Sequence, residues 1–175
     1  LALRAKGMKV LDCFANVGLF ARYALKGGAQ EVTVIETDPQ ALESIRKEIP
    51  EAIVVGENVF DVLRNFKKES EFDIIVLDPP AFAKDRRSVE GALRGYKEIN
   101  LRALKMLKPG GLLYTSSCSY HVSRDYFLNA LCEAADDAKK NVRLLQSFQA
   151  GADHPVVLNI PETNYFKGFL LQVIE

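Results

Sequence analysis

"IIVLDPPAFAKDRR", residues 74–87, runs four aliphatic residues into an acid, two prolines and, after Ala81, a phenylalanine, and then turns basic. A continuous apolar run of this length reads as a strand buried on both faces, the mark of a parallel sheet with helices on either side. A carboxylate at the end of such a strand is costly unless it is used or paired. The strand end at Asp78 therefore marks a place where chemistry is expected.

The segments around it alternate. Strand-like runs at 8–14, 31–36, 52–56, 72–78 and 112–118 are separated by helical patterns at 17–28, 38–49, 59–69, about 89–107, and a helix after Ser123. In the first helix Phe20, Ala24 and Leu25 share one face, and a glycine pair stops it. Asp38 is placed as an N-cap with Pro39 at the first helical position. Val59, Leu63 and Phe66 have helical spacing, as do Ile99, Ala103 and Leu107, and Phe127, Leu131 and Ala138. "PGG" at 109–111 reads as a break before the fifth strand. Two last strands, 142–148 and 167–175, have no helix between them, so the final one is expected to be antiparallel. The pattern predicts one α/β domain: a mostly parallel seven-stranded sheet, helices on both faces, an antiparallel last strand.

The 175 residues suit one well-buried domain. Lys plus Arg and Asp plus Glu number 23 each, so net charge argues neither for nor against a nucleic-acid partner. Three widely spaced cysteines, Cys13, Cys118 and Cys132, make a disulfide framework or a zinc site a poor fit and point to a reducing cytoplasm. No apolar run approaches the ~18 residues of a membrane span. The expectations are therefore no metal and no membrane, with a homodimer left open.

In open α/β sheets ligands bind at the carboxyl ends of the strands, where strand order reverses. The first such turn, "LDCFANVGLFA" (11–21), holds one glycine, Gly18, and neither a pyrophosphate-binding glycine loop nor a Walker lysine. Asp12 at this end suits a cationic amino-acid group and repels phosphate. Glu36 closes the second strand where a carboxylate can accept from ribose hydroxyls, and Asn58 closes the third, where an amide can pair with an adenine edge. A nucleoside carrying an amino acid and no phosphate is S-adenosylmethionine. The plainer roles are a turn residue for Asp12, an exposed strand end for Glu36 and a helix N-cap for Asn58.

"LDCFANVGLFA", "VLDPPAFAK", "RGYKEIN" (94–100), "SSCS" (116–119), "ADHP" (152–155) and "YFKGF" (165–169), in this order, resemble the methyltransferase domain of the RlmI-like 23S ribosomal RNA cytosine-C5 methyltransferases. The resemblance covers essentially the whole chain. It implies a Rossmann-like class I methyltransferase fold, with Phe14, Asp78 and Gly18 joining Asp12, Glu36 and Asn58 around the cofactor. It also implies an N-terminal PUA domain and a linking domain ahead of residues 1–175, absent from this sequence. Cys118 then adds to C6 of a cytosine, with Ser116, Ser117 and Ser119 stabilising its thiolate, and Asp78 or a water removes the C5 proton. Pro79, Pro80 and Asp78 present acceptors to an exocyclic amine, and Phe82 offers a face to a flipped base. Lys84, Arg86, Arg87, Arg94 and Lys97 are expected on RNA phosphates of the large subunit, and Tyr96 on a base or in the core. Asp153 and His154 are expected to order the pocket rim. Where many related sequences carry Lys, this chain has Ala81. Cys13 and Cys132 are expected as buried packing residues. Two other readings stay open: an N6-adenine or N2-guanine methyltransferase using the DPP turn, and a cofactor-binding ribosome-interaction module without turnover.

Overall fold

The computed structural model describes residues 2–67 and 69–174. Its strands and α-helices are β1 (Lys9–Cys13), α1 (Leu19–Lys26), β2 (Glu31–Ile35), α2 (Pro39–Glu48), β3 (Ile53–Val55), α3 (Val59–Asn65), β4 (Phe72–Leu77), α4 (Val89–Met106), β5 (Leu107–Ser117), α5 (Arg124–Ala138), β6 (Asn141–Phe148) and β7 (Lys167–Ile174), with short 3-10 turns at Ala2–Arg4, Arg86–Ser88 and Pro161–Thr163. The sheet runs β3-β2-β1-β4-β5-β7-β6. The five strands from β3 to β5 are parallel, and β7 is antiparallel to both β5 and β6. Strand order reverses between β1 and β4, which opens the crevice there.

Alternation along the strands feeds two cores. Leu11, Cys13, Ile35, Ile75, Leu77 and Leu113 pack with residues of α3, α4 and α5, including Tyr96 and Phe127. Val10, Val32, Val34, Ile74 and Leu112 pack with Ala21 and Ala24 of α1 and Ile45 of α2. The predicted caps are present: the Asp38 side chain accepts from Ala41 N with Pro39 beginning α2, and Ser123 accepts from Tyr126 N at the start of α5.

Three expectations shift. The buried stripe of α1 is Ala21 and Ala24, while Phe20 and Leu25 are half-buried, because the close approach of α1 to the sheet favours small side chains. The third helix ends at Asn65: Phe66 turns extended and packs on Phe72 instead, centroids 5.6 Å apart. Its predicted end included Lys68, and the last strand Glu175, which lie outside the described residues. The PGG segment does not end an element. It is a bulge within β5: Phe72 faces Leu107 and Ile74 faces Leu112. Pro109 supplies no donor there, Gly110 takes φ +80°, and a Cβ on Gly111 would lie 2.8 Å from Lys108 O.

Candidate active site at the carboxyl edge of the sheet

Asp12 is buried at the end of β1. One of its oxygens, Oδ2, accepts from Ala21 N at 3.0 Å. Helix α1 has Gly18 at its N-cap and no side-chain cap of its own, so the strand carboxylate satisfies one of its free donors. Asp12 Oδ1 is buried with no hydrogen-bond partner among the described residues. Burial pushes the Asp12 carboxyl up to about 7; the Ala21 N–H pulls it down, and the charges of Asp78 and Glu36 push the same way as burial. The acid expected to face a ligand is thus a buried capping group with one acceptor unused.

The turn after β1 places Phe14, Asn16 and Gly18 all at positive φ (60°, 49° and 72°). Only the glycine was legible as special. A bulky residue in the left-handed region is unusual and needs support. Phe14 has it from Phe60 and Phe82, edge-on at 6.4 and 6.3 Å. A Cβ on Gly18 would lie 2.6 Å from Ile49 Cδ1 of the α2 end, so the turn sits tightly on α2.

Glu36 closes β2 and accepts three backbone N–H groups: Asn16 on Oε2 at 2.7 Å, Thr37 and Asp38 on Oε1 at 2.6 and 3.0 Å. It ties the ends of β1 and β2 together, and of the roughly four sites a carboxylate offers, about one remains for a ligand hydroxyl. Asn58 does cap α3, its Oδ1 accepting from Phe60 N at 2.9 Å. The cap engages the oxygen and not the amide nitrogen.

Asp78 follows β4, and its carboxylate accepts a hydrogen bond from the Ser116 hydroxyl on β5. Pro79 is buried and Pro80 exposed. Phe82, expected to offer a face to a base, is half-buried and packs within an aromatic cluster. It stacks on Tyr96 at 4.6 Å and 30°, with Phe60 at 5.6 Å. Tyr96 is fully buried, which removes it from base stacking. Its hydroxyl accepts from Ser117 Oγ at 3.0 Å and shares a hydrogen bond with Ser119 Oγ at 2.9 Å. Ser119 Oγ also accepts from Ala83 N at 3.0 Å. A buried polar chain therefore locks the DPP loop to the cysteine loop.

Cys118 is half-buried beyond the end of β5. The neighbouring hydroxyls do not stabilise its thiolate, since Ser116 serves Asp78 and Ser117 and Ser119 serve Tyr96 and the loop. Burial pushes the Cys118 thiol up, the Asp78 charge adds to this, and Lys167 opposes it. Cys118, Asp78, Tyr114, Asp153, His154 and Phe166 line one cavity of about 360 Å³. Asp153 and His154 pair at its rim, Oδ2 to Nδ1 3.1 Å. Cys13 is buried in β1 as expected, whereas Cys132 lies exposed on α5.

The sequence reading missed Lys167, at the start of β7. It is 8% exposed. Its Nζ donates to the carbonyls of Ser119 at 2.5 Å and Tyr165 at 2.9 Å. Burial lowers its amine to about 8, with Cys118 opposing. The signal was the "YFKGF" stretch, in which a charge sits at the head of an apolar strand.

The basic residues divide. Lys84, Arg86 and Arg87 are exposed on the loop after the DPP turn, where Asp85 and Ser88 cap each other's backbone. Arg94 is exposed and bonded to Glu90. Lys97 points instead to α5, with Glu133 at 3.1 Å and Asp137 at 3.0 Å, because it lies on the α4 face that packs there.

A family model described as "Conserved hypothetical protein 95" matches residues 1–146. A curated protein of Erwinia tasmaniensis named Ribosomal RNA large subunit methyltransferase I is 40% identical over 178 residues, 97% of this chain and 45% of the relative. The chain thus spans less than half the length of that relative. A solved structure from Streptococcus mutans superposes with a TM-score of 0.81 at 24% identity, over 97% of this chain and 46% of that one. The S-adenosylmethionine dependent methyltransferase from Mesorhizobium loti gives 0.68 at 13% identity, over 96% and 92%. These likenesses establish the methyltransferase fold.

Proposed function

We propose, from the premise that this chain belongs to the family described as Conserved hypothetical protein 95, that it is the S-adenosylmethionine-dependent domain of an enzyme that methylates C5 of a cytosine in large-subunit ribosomal RNA through a Cys118 adduct. The observation that carries the reading is the cavity shared by Cys118 and Asp78, one strand from the β1 turn. The name and 40% identity of the Erwinia tasmaniensis relative support the substrate class.

The β1 turn fits the cofactor. Asp12 Oδ1 is a buried acceptor without a donor among the described residues, which suits a cationic amino-acid group at the crevice. Glu36 keeps acceptor capacity for a ribose hydroxyl, and Asn58 an amide for an adenine edge. Phe14 and Gly18 shape the turn between them. When bound, the cofactor supplies an electrophilic methyl group.

Cytosine C5 is a poor nucleophile until a thiolate adds to C6. Cys118 Sγ forms that bond, and the ring electrons then become available at C5. After transfer, the C5 proton leaves and the C6–S bond breaks, returning the thiolate. The Asp78 carboxylate lines the same cavity and can take that proton or hold the exocyclic amine, with the rigid Pro79 and Pro80 framing it. Lys84, Arg86 and Arg87, exposed on the loop after the DPP turn, offer phosphate contacts.

The test is nucleoside analysis after incubation with isotopically labelled cofactor and unmodified large-subunit ribosomal RNA. Label in 5-methylcytidine, lost in Cys118→Ala, is expected. Label in a methylated adenine or guanine that survives Cys118→Ala would replace the thiolate route with amine methylation at the DPP turn. Cofactor binding without label, even when the RNA-binding arm of a full-length relative is supplied, would make it a non-catalytic module.

A further inference from the structure

We infer that Lys167 is a positioning residue for Cys118, its ammonium serving as the counter-charge that holds the thiolate. The inference rests on the reading of Cys118 as nucleophile. Lys167 faces Ser117 across the β5–β7 ladder, one residue from the cysteine. Its two hydrogen bonds go to the carbonyl next after Cys118 in the chain and to Tyr165, another wall of the same cavity.

The pairing of lysines in this molecule runs against expectation. Lys9, Lys97 and Lys108, whose side chains are 29%, 32% and 38% exposed, each have a carboxylate within about 3 Å. Lys167, 8% exposed, forms no ion pair with a carboxylate among the described residues. A buried ammonium is stable only when its charge is answered. It has three N–H donors, and the two carbonyls occupy two. The third is left for an anion.

The groups around the thiol narrow the choice. Asp78 faces it from the end of β4, but its carboxylate is bound by Ser116. Tyr114 faces it from β5, and Asp153 and His154 pair with each other at the rim. Arg124 of α5 lies over the Phe169 ring at 5.2 Å and lines a neighbouring hollow with Lys167. The anion that can form beside Lys167 is the Cys118 thiolate. With the amine lowered to about 8 by burial, its neutral form is accessible near neutral pH. The S–H bond then breaks with its electron pair left on Sγ, and the proton goes to the Nζ lone pair. When the C6–S bond later breaks, the thiolate returns to the same ammonium.

The test follows the rate of iodoacetamide alkylation at Cys118 from pH 6 to 10, read by peptide mass spectrometry because the exposed Cys132 reacts too. Neither cofactor nor RNA is present, so the result stands apart from the methyl-transfer reading. In Lys167→Met the midpoint of the pH profile should rise by about one unit or more, with a rate at pH 7.5 about tenfold lower. Lys167→Arg keeps the cation and should restore the lower midpoint. If Lys167→Met does not fold, Lys167→Gln, which can still donate to a carbonyl, carries the same expectation. Profiles of wild type and the neutral variant that superimpose, with unfolding temperatures unchanged, would overturn the inference, as would an arginine variant that folds and shows no rescue.

Discussion

Ser116 donates its hydroxyl hydrogen to the carboxylate of Asp78. β4 and β5 run in register up to Leu77 and Thr115, so the next residue on each strand comes abreast at the edge of the sheet. This bond is why an aliphatic strand can end in an acid: the carboxylate is paired on one side and faces the Cys118 cavity on the other. Ser116→Ala should cost the fold about 1.5–3 kcal/mol, the value of a hydrogen bond to a charged group. Methyl transfer should fall on the order of tenfold to a hundredfold, because the carboxylate loses its fixed aim. Ser116→Thr should recover most of it. Urea unfolding beside the labelled-nucleoside assay separates the two effects. An unchanged transfer rate would take the pair out of the chemistry.

Tyr96 holds the DPP and cysteine loops through Ser117 and Ser119. Tyr96→Phe keeps the ring stack on Phe82 and removes only the hydroxyl. Buried hydroxyls then lose a partner, which costs about 1–3 kcal/mol. The midpoint of urea unfolding should fall accordingly with its slope unchanged. A loss below about 0.5 kcal/mol would mean that the serines find other partners and that the network is not what joins the loops.

Much of this architecture could be read from the chain. The aliphatic run 74–77, the Asp38–Pro39 cap and the antiparallel last strand each express a local rule, and each appears as expected. What escaped depends on packing between distant segments. Phe14 and Asn16 at positive φ follow from an aromatic cluster and from Glu36, neither adjacent in sequence. Phe82 looked like a stacking platform, and Tyr96 stayed open between a base and the core, because their packing against each other is a tertiary fact. Lys167 was passed over, despite its place at the head of an apolar strand, because a lysine at a strand start is ordinarily solvated. Only the β5–β7 pairing puts it behind Cys118.

The two classes of basic residue should separate in RNA binding. Lys84, Arg86 and Arg87 are exposed on the loop after the DPP turn, so changing all three to Gln should weaken RNA binding and lower the slope of log affinity against log salt by about two to three. Lys97→Gln should leave the slope unaltered, since its charge already meets Glu133 and Asp137. Equal effects of the two changes would place the RNA path along α4 and α5 instead of the loop.

Asp12 should link stability to cofactor binding through pH. Its folded-state value of about 7 lies above the unfolded value near 4, so the folded chain binds more protons between them. Its contribution therefore makes stability fall as pH rises from about 4 to 7, and the burden is complete above about 7. Asp12→Asn keeps an acceptor for Ala21 N and removes the buried charge. Its unfolding free energy should accordingly vary less over pH 4.5–7.5 and exceed that of wild type at the upper end. Cofactor affinity should move the opposite way. If the unused Oδ1 answers a cationic group of the ligand, wild-type affinity climbs as Asp12 ionises and levels off above about pH 7. The Asn variant binds more weakly, with this rise removed. Calorimetric titrations at three pH values read both variants. A gain in stability with no loss in affinity would show that Asp12 caps α1 and does nothing for the ligand.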